Sequence, residues 1–310
     1  MSTETPDTLA QQRYSLNGAT MGTRFSALFY AAGEIDQAAI QADLQRAVAQ
    51  VDQQMSTWNP TSTLMQLNAT PLGQWFSLPD ELLWVLTTAL RISAESDDAF
   101  DIGVGALVTA CGFGPHAPAE CLPGRQPSAR QALEIDLARR AVRKHAVISL
   151  DLNGIAKGFA VDQLARCLEQ HGVHAYLVGI DGEMRAAGRK ADGNAWSVAL
   201  EKPLKGRREV LGALELYDSS IATSGDYRHW RERDGREYSH TINPHSGEPW
   251  LSALTSVSVL CTSCMYADAW ATALLVLGVE RGTALAKAHG LSVIFMLREG
   301  DALREITVGF

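Results

Sequence analysis

The run Asp268-Ala269-Trp270-Ala271-Thr272 opens an apolar stretch in which Ala267, Ala271, Leu274, Leu275 and Leu277 recur near a 3.6-residue period, with Gly278 as a stop. The spacing predicts a helix here. It stands behind a strand expected over Leu254 to Leu260, where Ser256-Val257-Ser258-Val259 alternates. Further strands are expected over Ala175 to Ile180, Trp196 to Leu200, Val210 to Leu216 and Ser292 to Leu297. Strands that follow one another this way do not give the regular strand-helix alternation of a doubly wound sheet. The expected class is therefore α+β, with mixed or antiparallel sheets packed against helices.

Working outward, Arg24 to Tyr30 alternates through Phe25, Ala27 and Phe29 like a half-buried strand. A helix follows with Ile40, Leu44, Val48, Val51 and Met55 on one face, and a second runs from about Pro79 to Ser93 with proline at its start. Pro115 to Ala129, with four prolines, reads as a long surface loop. Gly103-Val104-Gly105 lacks the third glycine of a dinucleotide fingerprint. No linker, repeat or low-complexity tract divides the 310 residues, of which 46% are hydrophobic. One domain over residues 1–310 is expected, and two intimately packed subdomains fit the same composition. A formal charge of −8 argues against a nucleic-acid partner, which would need a basic face.

Three segments carry chemistry. Asp268 and Thr272, four residues apart, place two hard oxygen ligands on one helix face; Asp268 as a helix cap and Thr272 as a hydroxyl bonded back to its own helix is the alternative. Ile148 to Gly158 reads as a strand, a glycine turn and a helix start. A phosphate fits such a start with Lys157 adding a charge, and the Gly154 carbonyl is free to meet a cation. Asp151 and Lys157 fit a surface ion pair equally. In the polar loop from Tyr238 to Pro249, His240 is a candidate general base, although loop histidines also serve structure; His245 reads as exposed or structural.

The five cysteines show no disulfide spacing. Cys261-Thr262-Ser263-Cys264 reads either as a redox dithiol or as two small buried residues. The amino terminus lacks an export signal, and no window reaches membrane-spanning length.

Seven blocks in order, Ala19 to Thr23, Met55 to Trp58, Ala99 to Asp101, Asp151 to Gly158, Ala222 to Tyr227, Ser239 to Gly247 and Ala267 to Thr272, resemble the bacterial FAD:protein FMN transferases, the ApbE family. The resemblance spans nearly the whole chain. It implies an enzyme that binds FAD with Mg2+ and transfers the FMN half to a Ser or Thr hydroxyl of an acceptor flavoprotein through a phosphoester bond, releasing AMP. By position it implies that Met21, Trp58, Ala99, Phe100, Asp101, Asp151, Lys157 and Ile242 line the FAD site. Gly154 and Ala271 through their carbonyls, with Asp268 and Thr272, match the metal positions, and His240 matches the histidine that assists the incoming hydroxyl. Lys157 is the other candidate catalytic group. Departures from the family pattern are Trp58 for a tyrosine, Asp181 for a glycine, Glu183 for an aspartate, Ala106 for a proline and Cys111 for a tryptophan.

Two other functions use the same residues: a FAD pyrophosphatase with water as nucleophile, and a non-catalytic flavin-binding or delivery protein. Lys157, His240 and a full metal set favour catalysis over storage. The expected location is cytoplasmic, with a periplasmic protein deprived of its leader as the alternative. The oligomeric state is not readable from the chain.

Overall fold

The computed structural model describes residues 11–115, 127–227, 230–233, 236–239, 241–250, 252–300 and 302–310. Its centre is a sheet of eight strands: β1 (Gln11–Thr20), β2 (Thr23–Ala32), β3 (Ala175–Ile180), β4 (Glu183–Ala187), β5 (Ser219–Gly225), β6 (Leu254–Cys261), β7 (Ser292–Glu299) and β8 (Ala302–Val308). Their order in space is their order in the chain, and every neighbouring pair is antiparallel. The chain thus has the α+β fold, in its antiparallel form.

Four long helices, α1 (Gln37–Met55), α2 (Asp80–Glu95), α3 (Ala156–Gln170) and α4 (Cys264–Ala288), contribute to a core over one sheet face. α1 buries Ile40, Leu44, Val48, Val51 and Met55, the stripe read from the sequence. α2 starts after Pro79, with Asp80 and Glu81 set against the positive end of its dipole. Phe25 and Phe29 of β2, Val257 and Val259 of β6 and Phe295 of β7 join Leu44, Leu164 and Leu274 of the helices in one cluster. On the opposite face a hairpin of two strands, Trp196–Glu201 and Val210–Leu216, packs Trp196, Val198 and Leu216 onto Ala186 and Ile221. Period-two alternation does the sorting: in β5, Ile221 faces the hairpin and Ala222 the helices.

Between β1 and β2 lies the two-residue turn Met21-Gly22, with φ of 46° and 70°. Both residues are left-handed, the turn whose twist matches a hairpin. Gly278 does not end α4; at φ 75° and ψ 179° it breaks the helix, which resumes to Ala288.

One expected strand is absent. Around Ile148 to Leu150 only Ser149 makes a bridge, to Val104. The main chain is satisfied otherwise: Gly105 N–H donates to Ser149 O (2.9 Å) and Asp151 N–H to Ile102 O (2.8 Å). Asn68 accepts from Leu150 N–H (2.8 Å) and donates to its carbonyl (3.0 Å). A side chain here does the work of a neighbouring strand. Of the expected loop from Pro115 to Ala129, residues 116–126 lie outside the described residues, and Ala129 already begins a short helix, Ala129–Ala132.

α3 and α4 cross closely at Gly158. A Cβ there would overlap the Cys264 carbonyl and come within 2.8 Å of the Asp268 Cβ. Gly158→Ala is expected to cost about 1–3 kcal/mol of stability, the usual effect of overpacking a tight contact. Denaturant unfolding checks this; an unchanged midpoint would mean that the helices separate freely.

Candidate active site

Asp268 lies in the second turn of α4 and does not cap it. The cap is Ser263, reinforced by Asp162 from α3, which accepts from the N–H groups of Cys264 and Met265 (3.0 Å each) and from the Ser263 hydroxyl (2.7 Å). Arg185 of β4 donates to the same carboxylate (2.8 Å). With the first turn of α4 satisfied by Asp162, Asp268 is free to point at α3. Its Oδ2 accepts from Gly158 N–H (2.9 Å), so the helix dipole that favours its charge is that of α3. The open phosphate cradle expected at the start of α3 is accordingly reduced: Gly158 N–H is taken by Asp268 and Ala156 N–H by Leu152 O (2.8 Å).

One turn along α4, the Thr272 hydroxyl is 2.9 Å from the Ser224 hydroxyl of β5, a partner in the sheet and not in its own helix. Gly154 lies directly against it: a Cβ on Gly154 would stand 3.1 Å from Thr272 Oγ1 and 3.2 Å from the Phe100 ring. Ala271, between Asp268 and Thr272 in the chain, is fully buried. The tertiary fold therefore brings Gly154, Phe100, Asp268 and Thr272 to one place.

The Asp268 carboxyl is buried, and its pKa is pushed up to about 7 by desolvation and the nearby Glu183 charge, against the pull of Lys157 and Gly158 N–H. Lys157 is paired with Glu183 (Nζ to Oε1, 2.7 Å) and is not a partner of Asp151. Burial opposes its charge, yet Glu183, Asp268 and Asp181 outweigh that and raise its pKa. Asp151 instead closes a turn, accepting from Asn153 N–H (2.7 Å) and its side-chain amide (3.0 Å), and burial raises its pKa.

The other expected flavin-site residues sit on different elements. Met21 is at the β1–β2 tip, and Trp58, 62% exposed, follows α1. Ala99, Phe100 and Asp101 are buried in the connection after α2, pinned by Asp98, which takes two bonds from Arg130 (3.0 Å each). Asp101 Oδ1 is spent on Gly103 and Ala129 N–H (2.8 and 3.0 Å), and burial raises its pKa. Ile242 is buried and pairs with Pro249. His240 lies outside the described residues, while Ser239 and Thr241 on either side are buried.

The thiols of Cys261 and Cys264 are free. Burial pushes the first up to about 11 and raises the second well above the ordinary thiol value, which disfavours thiolate attack. Cys264 is buried in the core and Cys261 packs against it part-buried.

Glu183, Ser224 and Asp162 in these roles escaped sequence reading. Their partners lie between 23 and 103 residues away, and nothing local in the chain marks such a pairing.

Residues 21–295 match the ApbE family. The chain belongs to that family. FAD:protein FMN transferase of Vibrio cholerae is 36% identical over 301 residues, 95% of this chain and 90% of the relative. The Escherichia coli protein of the same name is 34% identical over 305 residues, 93% and 85% of the two chains. The apo crystal structure of Pseudomonas stutzeri flavinyl transferase ApbE superposes with a TM-score of 0.86 at 35% identity, covering 97% of this chain and 96% of that one. The α+β fold is thus the ApbE fold. Among the described residues no helix is long and apolar enough to cross a membrane.

Proposed function

We propose that this ApbE chain transfers the FMN half of FAD to a Ser or Thr hydroxyl of an acceptor flavoprotein, releasing AMP. The gathering of Gly154, Asp268 and Thr272 beside the Lys157–Glu183 pair carries this reading, and the names of the relatives support the substrate.

The site suits a hard divalent cation. A buried carboxyl whose ionisation is opposed by its surroundings gains most from a positive partner, and the missing Cβ of Gly154 lets main chain approach the Thr272 hydroxyl. Among the described residues no three His, Cys, Asp or Glu side chains gather as a metal cluster. A cation would therefore be held by Asp268, the Thr272 hydroxyl and backbone oxygens of Gly154 and Ala271, an oxygen set that fits Mg2+. When bound, it supplies charge neutralisation on the pyrophosphate.

The residues do the rest by position and charge. Lys157 adds a cation at the phosphates, and Trp58, still aromatic and largely exposed, offers a face on which a flavin or adenine ring stacks. His240 takes the proton from the acceptor hydroxyl as its oxygen bonds to the flavin-side phosphorus. The bridging P–O bond breaks, and AMP leaves with the bridging oxygen.

The test is incubation with FAD, Mg2+ and a candidate acceptor domain. Flavin fluorescence that stays on the denatured acceptor, with AMP formed in equal amount, is the expected result. AMP without labelled acceptor would make the chain a pyrophosphatase, and no AMP would leave a flavin-binding protein.

Proton linkage gives a further expectation. Below about pH 7 a proton must leave Asp268 for a cation to enter, so metal affinity is expected to fall about tenfold per pH unit there and to level off above. Calorimetric titration with Mg2+ or Mn2+ between pH 5.5 and 8.5 reads this directly; a flat profile would remove Asp268 from the ligand set.

A further inference from the structure

We propose that Glu183 is a positioning residue for the transfer reaction, acting through Lys157: its carboxylate fixes the lysine ammonium on the Asp268 side of the site. This rests on the reading of Lys157 given above. Glu183 is the first residue of β4, only 3% exposed, and its Oε1 lies 2.7 Å from Lys157 Nζ. Its second oxygen, Oε2, is buried without a hydrogen-bond partner among the described residues.

A carboxylate that serves fold alone is ordinarily satisfied at both oxygens, because an unpartnered buried acceptor is costly. Among the described residues one oxygen is unpaired, and the other meets the Lys157 ammonium. The backbone holds it there: the turn before β4 has Asp181 at φ 50° and Gly182 at φ 118°, and Glu183 pairs with Ile180 across the β3–β4 hairpin. A lysine ammonium on four methylenes has no fixed direction of its own. Anchored by Glu183 and close enough to Asp268 to feel its charge, the partly exposed Lys157 side chain keeps its ammonium where a pyrophosphate bound at Asp268 and Thr272 would meet it. The strength of binding to FAD then changes less than the rate, since orientation matters most in the transition state.

A double-mutant cycle decides this. kcat, KM for FAD and thermal midpoint are measured for the wild type, Glu183→Gln, Lys157→Met and the double variant, with saturating acceptor and Mg2+. Glu183→Gln is expected to lower kcat about tenfold or more with KM changed little, and to change kcat less than about twofold when Lys157 is already methionine. An equal loss of kcat in both backgrounds overturns the proposal, because Glu183 then acts independently of the lysine. Full activity of Lys157→Met would instead withdraw the role of Lys157 itself, and is distinguishable because it appears before Glu183 is touched.

Lys157→Met strands a buried carboxylate and can unfold the chain, so Glu183→Asp supplies a second measurement. The charge is kept while the carboxylate retreats by one methylene. A lower kcat at an unchanged thermal midpoint supports positioning; a lower midpoint at unchanged kcat makes Glu183 a fold contact and overturns it.

Discussion

Asp268→Ala is expected to abolish turnover while leaving a folded chain. Asp268 is the one charged side chain in the proposed ligand set, it is buried, and its only hydrogen bond recorded among the described residues is to Gly158 N–H (2.9 Å). Loss of a metal's charge stabilisation is worth several kcal/mol, on the order of 10³-fold or more in rate. Asp268→Asn separates charge from shape, since an amide oxygen can still accept from Gly158. Equal loss in both variants would assign the effect to charge.

Stability without metal moves the other way. The Asp268 pKa is raised to about 7 from an ordinary carboxylate value of 3.8, so its contribution is fully present below the lower value and is lost as the pH rises through the higher one. Metal-free wild type is expected to lose stability between about pH 4 and pH 7 at this position. Asp268→Asn should flatten that part of the profile in urea unfolding. Wild-type-like turnover of Asp268→Ala at limiting Mg2+ would show that the cation sits elsewhere.

His240→Ala is expected to slow transfer by roughly two to four orders of magnitude, the usual contribution of a positioned general base. FAD binding should be largely kept, because the proton it accepts belongs to the acceptor hydroxyl and not to the flavin. Of its described neighbours, Ser239 and Thr241 are buried, Thr241 N–H donates to Ser239 Oγ (3.1 Å), and Trp250 N–H donates to Thr241 O (2.7 Å). Single-turnover transfer and fluorescence quenching of FAD distinguish the two effects. A parallel loss of binding would mark a structural histidine.

Legibility followed the range of each signal. The α1 stripe from Ile40 to Met55 and the proline start of α2 were readable because helix periodicity and capping are local. β5 was not, since Ser219-Ser220-Ile221-Ala222-Thr223-Ser224-Gly225 has little strand propensity and is held by pairing to β4 and β6. β1 carries a fair local signal in Tyr14, Leu16 and the Met21-Gly22 turn. The strand expected over Ile148 to Leu150 fails for a related reason: Leu150 N–H and C=O are held by the side chain of Asn68, 82 residues away in sequence.

The sequence by itself determined the antiparallel-compatible order of elements, the i and i+4 oxygens of Asp268 and Thr272, and the family, because these rest on residue type and short spacing. Only the tertiary structure decided that Asp162 would take the first N–H groups of α4 and so free Asp268, that Asp268 would answer the start of α3, and that Lys157 would pair with Glu183 rather than Asp151. A carboxylate's partner is chosen by burial and by which N–H or ammonium the packing of α3, α4 and β4 brings within about 3 Å, and no local pattern encodes that distance.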